Sequence, residues 1–215
     1  KKLLTLLTIL TQLGGGNLWA KDVTSTYDFT NGTDGTAPTI SSTAHHKAGN
    51  TQNVFLATDD ICKSRFCFQS ASTSEHAFDY KSNKLQNTKG DRWMSVVDLK
   101  AGDRIIFTFT SATAGSSTSK HFTVEKAGTS SSTNLSLSAN GEAIAANTDM
   151  VSGTTYYVLE DGYIDLKTKK NFYLTKVEIT TTVSGEETVS VPTISTTGAA
   201  GVTRKVTIKV VRPIY

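Results

Sequence analysis

Between Thr154 and Thr182 the chain reads TTYYVLEDGYIDLKTKKNFYLTKVEITTT, a run with room for three short strands and little else. Thr154–Leu159 is the first, Tyr163–Lys167 the second and Phe172–Thr181 the third. Glu160-Asp161-Gly162 makes the first turn, because a Gly after an Asp accepts the positive φ of a tight hairpin. Thr168–Asn171 makes the second. In the third strand Tyr173, Val177 and Ile179 share one face, and Lys176 and Glu178 the other. That is the pattern of a half-buried antiparallel strand, apolar inward and charged outward.

The same pattern recurs upstream. Arg104–Thr110 (RIIFTFT) sets Ile105, Phe107 and Phe109 on one face, against Arg104, Thr108 and Thr110. Burying each of those three apolar side chains stabilises by about 1.5–3 kcal/mol. Arg92–Leu99 alternates Trp93, Val97 and Leu99 with Met94, Val96 and Asp98. Lys21–Thr30, Val54–Ala57, Phe66–Gln69, Glu75–Tyr80, His121–Lys126 and Asn134–Ser138 bring the total to about ten strands, with no helix of useful length. Asn31–Pro38, Ser41–Asn53, Thr113–Lys120 and Gly128–Thr133 read as loops, Lys84–Asp91 and Lys100–Asp103 as turns, and Asn140-Gly141 as a hairpin signal. Hydrophobic residues are 37% and charged residues 19%, a balance that suits a turn-rich all-β exported protein better than a helical enzyme. The expected architecture is an antiparallel β-sandwich of jelly-roll type over residues 21–183, long enough to bury a core of its own.

The ends differ from this middle. Lys1-Lys2, the apolar Leu3–Leu13, the helix-breaking Gly14–Gly16 and the small Ala20 give residues 1–20 the pattern of a secretory signal peptide, and hence a secreted or cell-surface location. The apolar run is too short to span a bilayer, so no membrane span is expected after cleavage. Without Lys1 and Lys2, 20 basic residues face 19 acidic ones, a net charge of +1. With no basic cluster on one face, nucleic acid is not an expected partner. Residues 184–188 read as a linker. The segment 189–215 then starts a second β-segment of two or three strands, too few to form a stable sheet alone. With no initiating Met and a C-terminus just after a strand, the expectation is a piece of a longer chain that continues past Tyr215.

The leading TYDF strand, the DLKAGDRIIFTFT pair and the GTTYYVLEDGYIDLKTKKNFYLTKVEI ending resemble a jelly-roll module of exported Bacteroidetes proteins, of the galactose-binding-like, carbohydrate-binding-module-like type. The likeness covers about Lys21–Thr182 and rests on strand order and turn pattern. The tail PTISTTGAAGVTRKVTI is similar to the opening of an immunoglobulin-like repeat. The resemblance implies a non-catalytic module that binds a polysaccharide or other glycan, with further domains of the same chain as partners. A structural calcium is common among such modules. Asp28, Asp59, Asp60 and Asp161 are available oxygen donors, but no spacing among them identifies a site.

Sugar binding needs flat aromatic faces beside polar groups. Trp93, Tyr157 and Tyr163 are the candidates, with Asp165 sharing the polar strand face of Tyr163. The alternative for each aromatic is ordinary packing, which would leave a structural or adhesive spacer without sugar affinity. Since Tyr156 and Tyr157 are adjacent, one of them faces inward. Cys62 and Cys67 are too far apart for a redox pair and too isolated for a zinc site. An oxidising compartment would allow a local disulfide between them; the alternative is two independent thiols, one facing the core. His45-His46 invites a metal, but neighbours in an extended segment point opposite ways and rarely share an ion without a further ligand. His76 and His121 stand singly. No GxSxG elbow, HExxH motif or phosphate loop is present, so no catalytic residue is assigned and no enzyme is expected.

Overall fold

The computed structural model describes residues 20–49, 51–72, 75–87, 91–111, 122–127, 135–137, 144–145, 148–168 and 172–183. Outside them lie nearly all of the signal-like leader, the loops at 113–120 and 128–133, His121, Asn140-Gly141, the linker and the tail from 189. Contacts divide the chain into one unit at Val23–Thr181 and another formed by Lys1–Asp22 with Thr182–Tyr215. The first unit is the sandwich. Among the described residues no helix is long and apolar enough to cross a membrane.

Among the described residues fifteen strands follow one another, broken only by a single 3-10 turn at Phe29–Asn31. They are β1 (Lys21–Asp28), β2 (Ile40–Ala48), β3 (Gln52–Ala57), β4 (Phe66–Ser72), β5 (Glu75–His76), β6 (Phe78–Tyr80), β7 (Leu85–Asn87) and β8 (Arg92–Leu99). Then come β9 (Arg104–Ser111), β10 (Phe122–Ala127), β11 (Leu135–Leu137), β12 (Thr148–Asp149), β13 (Thr155–Val158), β14 (Gly162–Thr168) and β15 (Phe172–Val183). One sheet runs β11-β13-β9-β15-β7-β6, with β1 also on β15. The other runs β12-β10-β14-β8-β4-β3-β2, with β5 on β4. The two-sheet, all-β antiparallel sandwich is the expected fold class.

The core lies between the sheets. Ile105, Phe107 and Phe109 of β9 and Phe172, Leu174, Val177 and Ile179 of β15 belong to one buried cluster. Phe66, Phe68, Met94, Val96, Leu99, Ile164 and Leu166 of the other sheet complete it. The inward face of β9 is the one its alternation specified.

Three bulges change what alternation alone gives. In β15, Leu174 pairs with Phe109 but Lys176 with Thr108, so Thr175 is extra. Phe172 and Leu174 therefore point inward before the bulge and Val177 and Ile179 after it. Tyr173, expected to share their face, is instead half-buried beneath Lys84, whose Nζ lies 4.6 Å from its ring centre. In β8, Leu99 pairs with Gly162 but Val96 with Ile164, leaving one extra β8 residue. Asp98 takes φ 56° there. Leu99 thereby rejoins Met94 and Val96 in the main core, while Val97 stays on the opposite face. The third bulge is in β2, where Ala44 pairs with Phe55 and His46 with Val54, leaving His45 unmatched. The stretch expected as a loop, Ser41–Asn53, is thus mostly strand. The turn expected at Lys84–Asp91 contains β7, which pairs with both β6 and β15.

Candidate functional site

Leu56, Cys67, Ser95 and Asp165 occupy one cross-strand row running β3-β4-β8-β14. Each flanks residues that point into the core, so the row faces the other side of the sheet. That outer side carries a second apolar cluster: Ala48, Val54, Cys67 and Val97, with Leu56, Trp93 and Tyr163 packed against it. Ser95 and Asp165 are both 0% exposed.

The cover is the β2–β3 hairpin. Along the ladder β2 is four strands from β14. In a flat sheet that separation is roughly 19 Å at the ordinary strand spacing. Yet His46 Nε2 on β2 lies 2.8 Å from Asp165 Oδ1 on β14, and the backbone N–H of Gly49 donates to Asp165 Oδ2 at 3.2 Å. The hairpin end of the sheet is therefore folded back over its own outer face. Gly49 permits this in two ways. It holds φ 54°, where a side chain is strained, and a Cβ there would collide with the Trp93 indole.

The buried carboxylate is well supplied. Asp165 Oδ1 also accepts from Ser95 Oγ at 2.8 Å. Because a carboxylate only accepts, Nε2 of His46 carries the proton directed at it. Nδ1 of His46 then faces Nδ1 of His45 at 2.9 Å. The Tyr163 ring covers the imidazole of His46, with centroids 4.0 Å apart and planes 31° apart. Burial, and next the charge of Asp165, push the Tyr163 phenol above its ordinary pKa. Burial, and next the neighbouring His46, hold His45 below the ordinary histidine value.

Ser95, His46 and Asp165 have the composition of a hydrolase triad but not its arrangement. In a proton relay the serine and the carboxylate use different ring nitrogens. Here Asp165 and Ser95 both meet Nε2, at 2.8 and 3.2 Å, and the serine proton is spent on the carboxylate. The three form a closed polar network under an apolar cover.

The side chains chosen from sequence are only partly brought together. Trp93, Tyr163 and Asp165 share the outer face. Asp165 is fully buried, which corrects its expected place on a solvated strand face: the hairpin covers that face. Trp93 and Tyr163 are half-buried in the packing beneath the same hairpin. Tyr157 lies in the other sheet, in register with Ser136 and Arg104, while its neighbour Tyr156 turns inward and accepts from the Val151 N–H at 2.7 Å. Among the described residues no Phe, Tyr or Trp side chain is exposed, and the exposed large apolar residues are Val23, Val151, Leu159 and Val183.

Of the two readings open for the cysteines, a local disulfide and independent thiols, the structure has the second. Cys62 and Cys67 are both buried free thiols. Cys62 belongs to the core between the sheets, 3.8 Å from the Tyr80 hydroxyl, whereas Cys67 belongs to the outer cluster. Cys62 lies in the turn before β4 and points into the core, while Cys67 lies on β4 and points to the outer face, which separates them. Burial raises both thiols, Cys67 to about 12.

The aspartates considered for calcium serve turns. Asp28 accepts from the N–H and hydroxyl of Thr30, Asp59 from the N–H groups of Thr39, Ile61 and Cys62, and Asp161 from the Ala101 N–H and Lys100 Nζ. Asp60 is exposed in the turn after Asp59. Among the described residues, the group of three metal-ligating side chains is instead His45, His46 and Cys67, with one ligand atom from each lying within 4.8 Å of the others. Sequence reasoning missed this group and its Asp165–Ser95 support. The signals were faint: a polar residue at the centre of each of two apolar strands, MSV and IDL.

No family model, no curated protein and no solved structure matches this chain.

Proposed function

We propose that the sandwich is a non-catalytic structural module of an exported protein, a spacer that holds neighbouring parts of its chain without a sugar platform of its own. The observation that carries this reading is the use made of the aromatic candidates. Trp93 and Tyr163 pack under the β2–β3 hairpin, and Asp165 is saturated by His46, Ser95 and Gly49. A sugar platform needs open aromatic faces beside unsatisfied polar groups. The leader-like residues 1–20 support export. A cleft among the described residues, lined by Pro38, Ile40, Phe68, Ala77 and Phe78, has a volume of about 10 Å³, far below the range usual for ligand pockets.

The test is affinity electrophoresis of the full chain against plant, host and microbial polysaccharides, with and without calcium. The expected result is unchanged mobility throughout. Retardation by one polymer, abolished in Tyr157→Ala or Trp93→Ala, would replace the spacer reading with a carbohydrate-binding one.

A further inference from the structure

We propose that His45, His46 and Cys67 form a binding site for a borderline-soft transition-metal cation of the Zn2+ class, which clasps the β2–β3 hairpin to the outer face of the sheet. The proposal is independent of the spacer reading, since the site would exist whether or not the module binds sugar.

The geometry begins with the β2 bulge. Adjacent residues of a regular strand point to opposite sides. The unmatched His45 breaks that alternation, so the two Nδ1 atoms stand 2.9 Å apart. Two nitrogens on a tetrahedral Zn2+, each at about 2.0–2.1 Å, are separated by roughly 3.4 Å. A small rotation of the exposed His45 ring would open that gap. Cys67 supplies the third ligand from the sheet beneath, its sulfur and one ring nitrogen of each histidine all lying within 4.8 Å of one another. Two imidazoles and a thiolate suit Zn2+ and its neighbours rather than calcium or magnesium, which take oxygen.

The surroundings match what a ligating histidine requires. Such a histidine donates its other ring N–H to a carboxylate, which fixes the tautomer and strengthens the ligating nitrogen. His46 has this support: Nε2 is held by buried Asp165, itself held by Ser95 and Gly49. The lone pair is thereby left on Nδ1, the atom facing His45. A further carboxylate, exposed Asp98 in the β8 bulge, acts electrostatically on both His45 and Cys67 and adds to the attraction for a cation. Cys67 lies at the buried floor and His45 at the exposed rim, which gives an entry path. On binding, the Cys67 thiol releases its proton to solvent and its thiolate ligates the metal, while the His45 proton between the two rings passes by way of solvent to Nε2 of His45, leaving both histidines neutral with their Nδ1 lone pairs on the metal. No oxidant or reductant is involved.

The experiment is a titration of the reduced, metal-free full chain with Co2+, read by visible ligand-field bands and a near-ultraviolet thiolate-to-cobalt band, followed by displacement with Zn2+. One Co2+ per chain with the thiolate band is expected, with Zn2+ displacing it and raising Tm. His45→Ala, at an exposed position, should leave the metal-free Tm unchanged and weaken binding at least tenfold. Cys67→Ala should lose the thiolate band and Cys62→Ala should keep it. Absence of a thiolate band in the unaltered protein would overturn the proposal. So would equal affinity in His45→Ala, or a band that depends on Cys62 rather than Cys67.

Discussion

The two faces of the β14-β8-β4-β3 sheet are built on different principles. The inner face offers Phe66, Phe68, Met94, Val96, Ile164 and Leu166 to a mainly apolar core. The outer face offers Cys67, Ser95 and Asp165, the last two buried polar groups, under a folded-back hairpin. Apolar burial is non-directional, so it stabilises many related packings almost equally well. Buried donors and a buried carboxylate stabilise only the arrangement that satisfies them, and cost heavily elsewhere. The inner face thus supplies most of the cohesion, and the outer face fixes where one hairpin sits.

Substitutions on the two faces should separate these roles. Phe107→Ala, at the core, is expected to cost about 3–5 kcal/mol in urea unfolding, with the metal-site residues undisturbed. Asp165→Ala should cost about 2–4 kcal/mol, because it deprives buried Ser95 and part-buried His46 and Gly49 of their shared acceptor. The comparison sharpens with the apolar triple replacement His46→Leu, Ser95→Ala and Asp165→Leu, which removes the acceptor together with its two side-chain donors and leaves only the Gly49 N–H. At least half of the Asp165→Ala loss should return, measured by the same unfolding. If the triple variant is as unstable as Asp165→Ala, the polar network is not the source of the cost.

Smaller effects probe the hinge and the surface. Gly49→Ala is expected to cost about 2 kcal/mol, since it strains a positive φ and displaces Trp93. A shift in tryptophan emission should accompany it. Both thiols should resist alkylation at pH 8 in the native protein and react on unfolding, because burial keeps them protonated. The smallest effect concerns Asp161 at the exposed turn. The Ala101 N–H first, and Lys100 next, hold its carboxyl below the ordinary range. A carboxylate lowered on folding stabilises above its unfolded pKa, and that contribution fades as pH falls through the lower folded value. Asp161→Asn should therefore lower stability slightly at neutrality, and the difference from the unaltered protein should shrink below about pH 4 and vanish as the carboxyl protonates, flattening the acid limb.

The sandwich was legible in the sequence because most strands keep a clean period of two. Ile105, Phe107 and Phe109 point where their spacing places them. The misses fall at bulges. One extra residue at Thr175, at Asp98 and at His45 flips everything beyond it, and an alternation count cannot see the insertion without the partner strand. Leu99, Tyr173 and the His45–His46 pair were each misplaced for that reason. The outer site was illegible for another. Asp165 looks solvent-facing from its own strand, and only a hairpin more than a hundred residues earlier in the chain buries it. Cys67 looked solitary because its companions are distant in sequence and adjacent only through the fold.

The docking of that hairpin is tested most directly by the protonation state of His46. Long-range 1H–15N spectra of the metal-free protein, with ring-labelled histidine, report which nitrogen carries the proton and how fast it exchanges. A single Nε2-protonated tautomer is expected for His46, with a ring proton exchanging slowly enough to be seen and lost in Asp165→Asn. Mixed tautomers with rapid exchange, like those of a solvated histidine, would mean that the outer face lies open.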